Sequence, residues 1–174
     1  MTRRWVVSGV ALLAGAFLIF AAAPKKNVQE GVDEETRKGV RALLDKHDAA
    51  MTGHDLQAVM DAYVQGPQTV VMGTGPGEMW VGPEEIRDAY THFFEDYEKG
   101  GQNFQYSTVT AGTRGGVAWV SAMGNVVLVK GGQKREVPMN VSAVMVRIKK
   151  DGEWRIQQMH FSTLVGAVEP AKAQ

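Results

Sequence analysis

The hydrophobic period changes once along this chain, at Gly100-Gly101, and that change limits the possible folds more than any other feature. Before it, apolar residues recur at the spacing of helices. After it, apolar and polar residues alternate at the spacing of strands. The sequence therefore predicts helices first and an antiparallel sheet afterwards, which is an α+β fold. The chain of 174 residues suits one domain of ordinary size.

Three helices are predicted before the change of period. Asp33 is placed to cap the first helix, which continues to about residue 52, and Asp55 caps a shorter second one. A short strand follows at residues 69–72. The third helix begins at Pro83, because proline suits the first helical position, and two acidic residues follow it. Its apolar stripe predicts a buried face made of Ile86, Ala89, Tyr90, Phe93, Phe94 and Tyr97.

Four longer strands are predicted in the second half, joined by glycine turns. They cover residues 104–111, 117–129, 134–149 and 153–163. The two middle strands are predicted to pair as a hairpin. If Gly131-Gly132 makes a two-residue turn, Trp119, Ser121 and Met123 join the same face, unless Pro138 introduces a bulge. These elements predict three N-terminal helices packed on one curved antiparallel sheet.

The register of the last hairpin decides which side chains point toward the helices. A three-residue loop at residues 150–152 pairs Trp154 with Ile148 and Ile156 with Val146, and burial favours it over a two-residue loop. Continued without a shift, this ladder predicts an inward face that is apolar near the turn and polar further along. The polar end consists of Ser121, Asn140, Ser142, Gln158, His160 and Ser162.

The opposite face of the predicted sheet is apolar as well. It carries Val141, Ala143, Met145, Met159 and Phe161. Three helices cannot cover both faces, and an exposed apolar patch of this kind marks an interaction surface. We therefore expect a homodimer through the outer face of the sheet.

Residues 1–23 have the composition of an export segment. Two arginines precede an uncharged stretch from residue 5 to residue 23, which ends in three alanines. This pattern is typical of a cleaved signal peptide, and the length also fits an uncleaved inner-membrane anchor. The sequence thus predicts a linker at residues 24–32, a periplasmic or extracytoplasmic domain at residues 33–165 and a tail at residues 166–174.

Composition excludes several classes of function. The chain has no cysteine, so disulfides, thiolate catalysis and cysteine-based metal sites are excluded. Its 19 basic and 19 acidic residues balance, which gives no support to nucleic-acid binding. No two histidines have the spacing of a helical metal pair, and the loop Gly73–Gly77 lacks the ending of a phosphate-binding loop. We expect neither a metal nor a cofactor.

Several segments resemble the SnoaL-like branch of the nuclear transport factor 2-like superfamily. They are His54-Asp55-Leu56 with Tyr63, the run from Gly73 to Gly82 leading to Glu85-Ile86, Ala118-Trp119, residues 151–156, and Met159 to Ser162. The resemblance covers roughly residues 33–165. It implies a cone in which helices close over a strongly curved sheet, an internal pocket, and homodimers across the outer sheet face. It implies no single activity, because the scaffold hosts isomerases, cyclases, dehydratases and non-catalytic binding modules.

His160 is the candidate catalytic residue, because a neutral imidazole in a semi-apolar pocket can act as a general base. Hydrogen bonding to Ser142 and Gln158 would instead make it only a shaping residue of the pocket. Catalytic relatives place a carboxylate or a His–Asp pair inside the cone, and the predicted inward sheet positions hold no acid. The predicted ligand pocket consists of His47, Tyr63, Trp80, Tyr90, Phe94, Trp119, Ser121, Met123, Asn140, Ser142, Gln158 and His160.

Three functions are consistent with these features of the sequence. The first is an exported domain that binds a small, largely apolar ligand or a partner in its cone without catalysis. The second is an isomerase, cyclase or hydrolase-like enzyme with His160 as general base. The third is a dimeric assembly module of the cell envelope.

Overall fold

The structure is a computed structural model that describes residues 32–149 and 152–163. The predicted export segment at residues 1–23, nearly all of the linker and the tail at residues 166–174 lie outside these ranges. Export, cleavage and anchoring therefore stay predictions. Among the helices of the described part, none is long and apolar enough to cross a membrane.

Three helices form where the capping residues and hydrophobic stripes predict them. They are α1 (Glu34–Gly53), α2 (Leu56–Asp61) and α3 (Pro83–Asp96). The Asp33 carboxylate accepts the amide of Thr36 at 2.9 Å, and the Asp55 carboxylate accepts the amide of Ala58 at 2.9 Å. Both caps satisfy amides that would otherwise have no partner in the first helical turn. The predicted starts of the first two helices are thus confirmed.

The strands form one six-stranded sheet in the order β2-β1-β6-β5-β4-β3. Neighbouring strands are antiparallel except β1 and β6, which are parallel. The strand β2 is missing from the sequence-based prediction, since it has only three residues and follows the glycine-rich loop. The strands are β1 (Val70–Met72), β2 (Met79–Val81), β3 (Asn103–Arg114), β4 (Val117–Lys130), β5 (Gln133–Arg147) and β6 (Trp154–Thr163).

The β4–β5 hairpin has the predicted turn and register. Gly131 and Gly132 have φ angles of 59° and 73°, values that favour glycine and suit a two-residue hairpin loop. The ladder then continues without a shift past Pro138. It places Trp119 opposite Val144, Ser121 opposite Ser142 and Met123 opposite Asn140, as predicted.

The predicted register of the β5–β6 hairpin is wrong near its turn. Trp154 pairs with Arg147 rather than Ile148, and Ile156 pairs with Met145 rather than Val146. Further along, Gln158 pairs with Val144 and His160 with Ser142, as predicted. Between these two stretches β6 advances two residues while β5 advances one, so Gln157 is the extra residue of a β-bulge.

The bulge inverts the predicted faces of the sheet. Side chains alternate between faces along a strand, and the extra residue moves Ile156 onto the same face as Met159. Ile156, Met159, Ala143 and Met145 are all at most 3% exposed and belong to the core beneath the helices. His160 lies on the other face and is half-buried. The apolar face that we predicted as a dimer surface is therefore the inner face of the cone.

Long-range backbone pairing accompanies the bulge. Ile156 donates its amide to the carbonyl of Ala62 at 2.8 Å and accepts the amide of Val64 at 2.9 Å. The side chain of Gln157 donates to the carbonyl of Gln68 at 3.0 Å. The segment after α2 thus holds β6 at the bulge, and these bonds satisfy groups that would be costly to bury unpaired.

Candidate functional site

A cavity of about 1360 Å³ lies between α3, the β1–β2 hairpin and the far half of the sheet. Ligand pockets in proteins are commonly about 300–1,000 Å³, so the space can hold a small organic molecule with water beside it. Its wall is predominantly apolar and aromatic. The apolar lining residues are Met51, Val71, Trp80, Ala89, Tyr90, Phe93, Tyr97, Phe104, Val126, Leu128, Val137, Pro138, Met139 and Phe161.

The long β4–β5 hairpin forms one wall of this cavity. The two strands have 14 and 15 residues, whereas α3 has 14 residues and covers a much shorter distance. The turn itself contacts the end of α3, since Lys130 pairs with Asp96 at 2.8 Å, and the inner side chains between the turn and the core lie across the cavity from α3. They form one wall of an open space instead of packing into the core.

Two tyrosines and a histidine form a polar cluster behind the cavity wall. Tyr90 lines the cavity, and its hydroxyl lies 2.5 Å from the hydroxyl of Tyr63. The Tyr63 hydroxyl also lies 3.4 Å from Nε2 of His47 and 3.4 Å from the sulfur of Met159. Tyr63 and His47 are each 1% exposed, and Tyr90 is 6% exposed. The three polar groups thus run from α1 to the cavity wall.

The Nδ1 atom of His47 has no hydrogen-bond partner within the described part of the chain. His47 Nδ1 is buried and makes no hydrogen bond there, and the nearest acid, Oδ1 of Asp48, is 3.6 Å away. Asp48 in turn accepts a hydrogen bond of 3.2 Å from the Tyr106 hydroxyl. A buried polar atom without a partner is costly, so His47 is held in place by packing and by its contact with Tyr63.

Burial raises the pKa of Tyr63 well above 10, and the neighbouring Tyr90 hydroxyl raises it further. Burial likewise raises the pKa of Tyr90. Both phenols are therefore protonated at neutral pH, because removing water disfavours the charged phenolate. A protonated phenol in a cavity wall can donate a hydrogen bond to an oxygen atom of a bound molecule, or accept one from a hydroxyl group of that molecule.

Four of the predicted pocket residues lie at the cavity or directly behind it. Trp80 and Tyr90 line it. Tyr63 and His47 form the buried cluster behind Tyr90. Phe94 differs, because its ring stacks on His54 with centroids 4.4 Å apart, and Phe93 of the same helix lines the cavity instead.

The other predicted pocket residues lie on the outer face of the sheet. The expectation that they point inward is wrong, because it assumed a ladder without the bulge at Gln157. They do share one face, as predicted. None of them borders the cavity described above, but Met123 and Asn140 border a second pocket of about 410 Å³. The binding or catalytic roles of all seven residues remain predictions. They are Trp119, Ser121, Met123, Asn140, Ser142, Gln158 and His160.

Sequence reasoning missed the cavity residues on the sheet, including Phe104, Val126, Val137, Met139 and Phe161. Their alternation with outward residues is visible in the sequence. The sequence does not show which face of the sheet they occupy, because that depends on the bulge. Within residues 32–149 and 152–163, no three side chains of the metal-binding types come together.

The SnoaL-like domain family matches residues 40–166, which is most of the chain. This chain belongs to the SnoaL-like family. The match includes every strand and most of the helical layer, so it agrees with the cone described above. No curated protein sequence matches this chain significantly.

Solved structures show the same fold in bacterial proteins. A nuclear transport factor 2-like protein of unknown function from Pseudomonas putida has a TM-score of 0.66 and 16% identity, over 83% of this chain and 96% of its own. A superfamily member from Salmonella enterica serovar Typhimurium has a TM-score of 0.66 and 17% identity, over 77% and 96%. A protein with a cystatin-like fold from Nostoc punctiforme has a TM-score of 0.63 and 11% identity, over 78% and 96%. At these identities the likeness establishes the fold and not the activity.

Proposed function

We propose that this SnoaL-like domain binds a small, largely apolar molecule in its cone and does so without catalysis. The observation that carries the proposal is the cavity of about 1360 Å³ with a predominantly aromatic and aliphatic wall. A closed core of this composition would be packed, as protein interiors normally are. Here Phe161, Met139 and Trp80 instead border open space, where an apolar ligand would remove them from water.

The Tyr63–Tyr90 pair supports an oxygen-bearing ligand. Tyr90 offers the ligand a phenol whose hydrogen-bonding partner, Tyr63, is already in place at 2.5 Å. Holding the group in position before binding reduces the conformational entropy lost on binding. We infer that a polar atom of the ligand meets Tyr90 while its apolar part contacts apolar side chains.

The inverted faces weigh against an enzyme with His160 as its general base. The His160 side chain is on the opposite face of β6 from Met159 and Phe161, so it cannot reach a molecule in the cavity. A general base must come within hydrogen-bond reach of the proton that it removes. Catalysis by His160 would therefore need a substrate on the outer face.

Export and homodimerisation belong to the same proposal. The composition of residues 1–23 supports export. The outer face supports self-association, since Trp119 and Met123 are 46% and 53% exposed there.

Filling the cavity tests the proposal. Ala89 lies on α3 in the cavity wall and is half-buried, so Ala89→Phe places a ring in the ligand's space. With the neutral probes 2-(2-naphthyl)ethanol and decan-1-ol, calorimetry should show binding to the wild type. We expect binding to weaken about tenfold or more in Ala89→Phe, equivalent to about 1.4 kcal/mol.

Ala49→Phe on the exposed side of α1 is the matched control, and it should bind like the wild type. Thermal unfolding of both variants confirms that they fold. Equal affinity for the probes in Ala89→Phe and Ala49→Phe would place the binding site elsewhere. Failure of the wild type to bind either probe would contradict the proposal itself.

A further inference from the structure

Five charged side chains line the cavity, and most of them are already engaged. Lys130 forms a 2.8 Å ion pair with Asp96 and lies 5.8 Å above the ring of Tyr97. The carboxylate of Glu78 accepts the amide of Gly75 at 2.7 Å. The remaining acid, Glu136, accepts the side-chain amide of Asn125 at 2.8 Å.

Arg135 differs from these residues. It borders the same cavity, and its guanidinium makes no hydrogen bond or ion pair with any residue of the described ranges. It pairs with Leu128 across the β4–β5 ladder, and Leu128 is an apolar residue of the cavity wall. Arg135 thus lies on the inner face of the sheet in the wall of the cavity, and it is exposed to solvent.

The spacing along β5 gives the size of a molecule that would use this cation. Arg135 and Met139 are four residues apart on the inner face, which corresponds to about 13 Å at a rise of about 3.3 Å per residue. Met139 pairs with Thr163, and both border the cavity. A ligand with an apolar body on the order of 10 Å long could contact Met139 and still carry a group at the guanidinium.

We propose that the cavity binds an amphipathic carboxylic acid, with its apolar body against the inner face of the sheet and its carboxylate paired with Arg135. This inference rests on the function proposed above and adds the chemical class of the ligand. A carboxylate matches the planar fork of a guanidinium and can form two parallel hydrogen bonds with it. The neighbouring cation, Lys130, is neutralised by Asp96, so Arg135 selects the anion.

The test compares two probes with the same ring system and similar length, 2-naphthylacetate and neutral 2-(2-naphthyl)ethanol. Calorimetry at low salt should show the acid binding to the wild type about five- to tenfold more tightly than the alcohol, the range for a partly solvated, charge-assisted pair. High salt should reduce this preference, because exposed charges are screened. Arg135→Gln should remove the preference and leave the affinity for the alcohol unchanged.

Lys134→Gln is the matched control, because Lys134 is the residue directly before Arg135 and lies on the other face of β5. It should keep the wild-type preference for the acid. Equal binding of both probes to the wild type would overturn the assignment of Arg135 and leave the apolar site intact. If Lys134→Gln and Arg135→Gln lose the preference for the acid equally, the preference comes from overall charge. That result would also overturn the assignment of Arg135. Failure of both probes to bind would contradict the proposed function as well.

Discussion

Ile156→Ala and Met159→Ala should each lower the free energy of unfolding by about 2–5 kcal/mol, the range for removing a buried aliphatic side chain and leaving a cavity. Ile156 is 0% exposed and Met159 is 2% exposed, and both pack beneath the helices. Their sequence separation of three is odd, which a regular strand would place on opposite faces. Large losses at both positions therefore require the bulge at Gln157.

Urea denaturation followed by far-UV circular dichroism measures these losses. Gln158→Ala and His160→Ala serve as controls on the outer face, and each should cost less than about 1 kcal/mol, as is usual for substitutions outside the core. A ladder without the bulge would place Ile156 and His160 on the same inner face. It therefore predicts large losses of stability in Ile156→Ala and His160→Ala, and a small one in Met159→Ala. A small loss in Met159→Ala together with a large loss in His160→Ala would show that the bulge is absent.

Gly124→Ala should destabilise the sheet by about 3 kcal/mol, at the upper end of what overpacking typically costs. Gly124 lies on β4 next to the irregularity in β3 between Tyr106 and Thr108. A Cβ atom on Gly124 would overlap the carbonyl oxygen of Gln105 and lie 2.9 Å from the Cα of Tyr106. Both obstacles are backbone atoms of the neighbouring strand, so the two strands would have to separate.

Gly112→Ala provides a matched control in the same pair of strands. A Cβ atom there would overlap the indole of Trp119, but that side chain is 46% exposed and can rotate away. We expect this variant to lose about 1 kcal/mol or less. Urea denaturation of the two variants under one set of conditions gives the comparison. If both variants lose the same free energy of unfolding, the close approach of the β3 backbone is not the reason for glycine at position 124.

Local signals account for the parts of the fold that the sequence predicts well. The caps at Asp33 and Asp55 and the left-handed glycines at 131 and 132 each act within a few residues of the chain. They define the helix starts and the β4–β5 register without help from distant contacts. The cone itself was predicted from the resemblance to the SnoaL-like branch, and the family match and solved structures confirm it.

The orientation of the last strand could not be predicted in the same way. Both faces of β5 and β6 carry apolar residues near the turn, so the hydrophobic pattern alone does not choose between them. The choice depends on Gln157 and on the pairing of Ile156 with Ala62 and Val64, more than 90 residues earlier. Tyr90 lies on α3, and Tyr63 follows the end of α2 and forms a bridge with Ile156, so both were found through the apolar stripes of the predicted helices.

Thiol labelling at neighbouring positions of β6 tests the central claim that the ligand site lies on the Phe161 side of the sheet. The chain has no cysteine, so Phe161→Cys and His160→Cys each introduce one thiol. Labelling rates with a thiol-specific reagent are measured with and without 2-(2-naphthyl)ethanol. We expect the probe to slow labelling at position 161 and to leave position 160 unchanged. Protection at position 160 alone, or at neither position, would contradict a ligand site on the inner face.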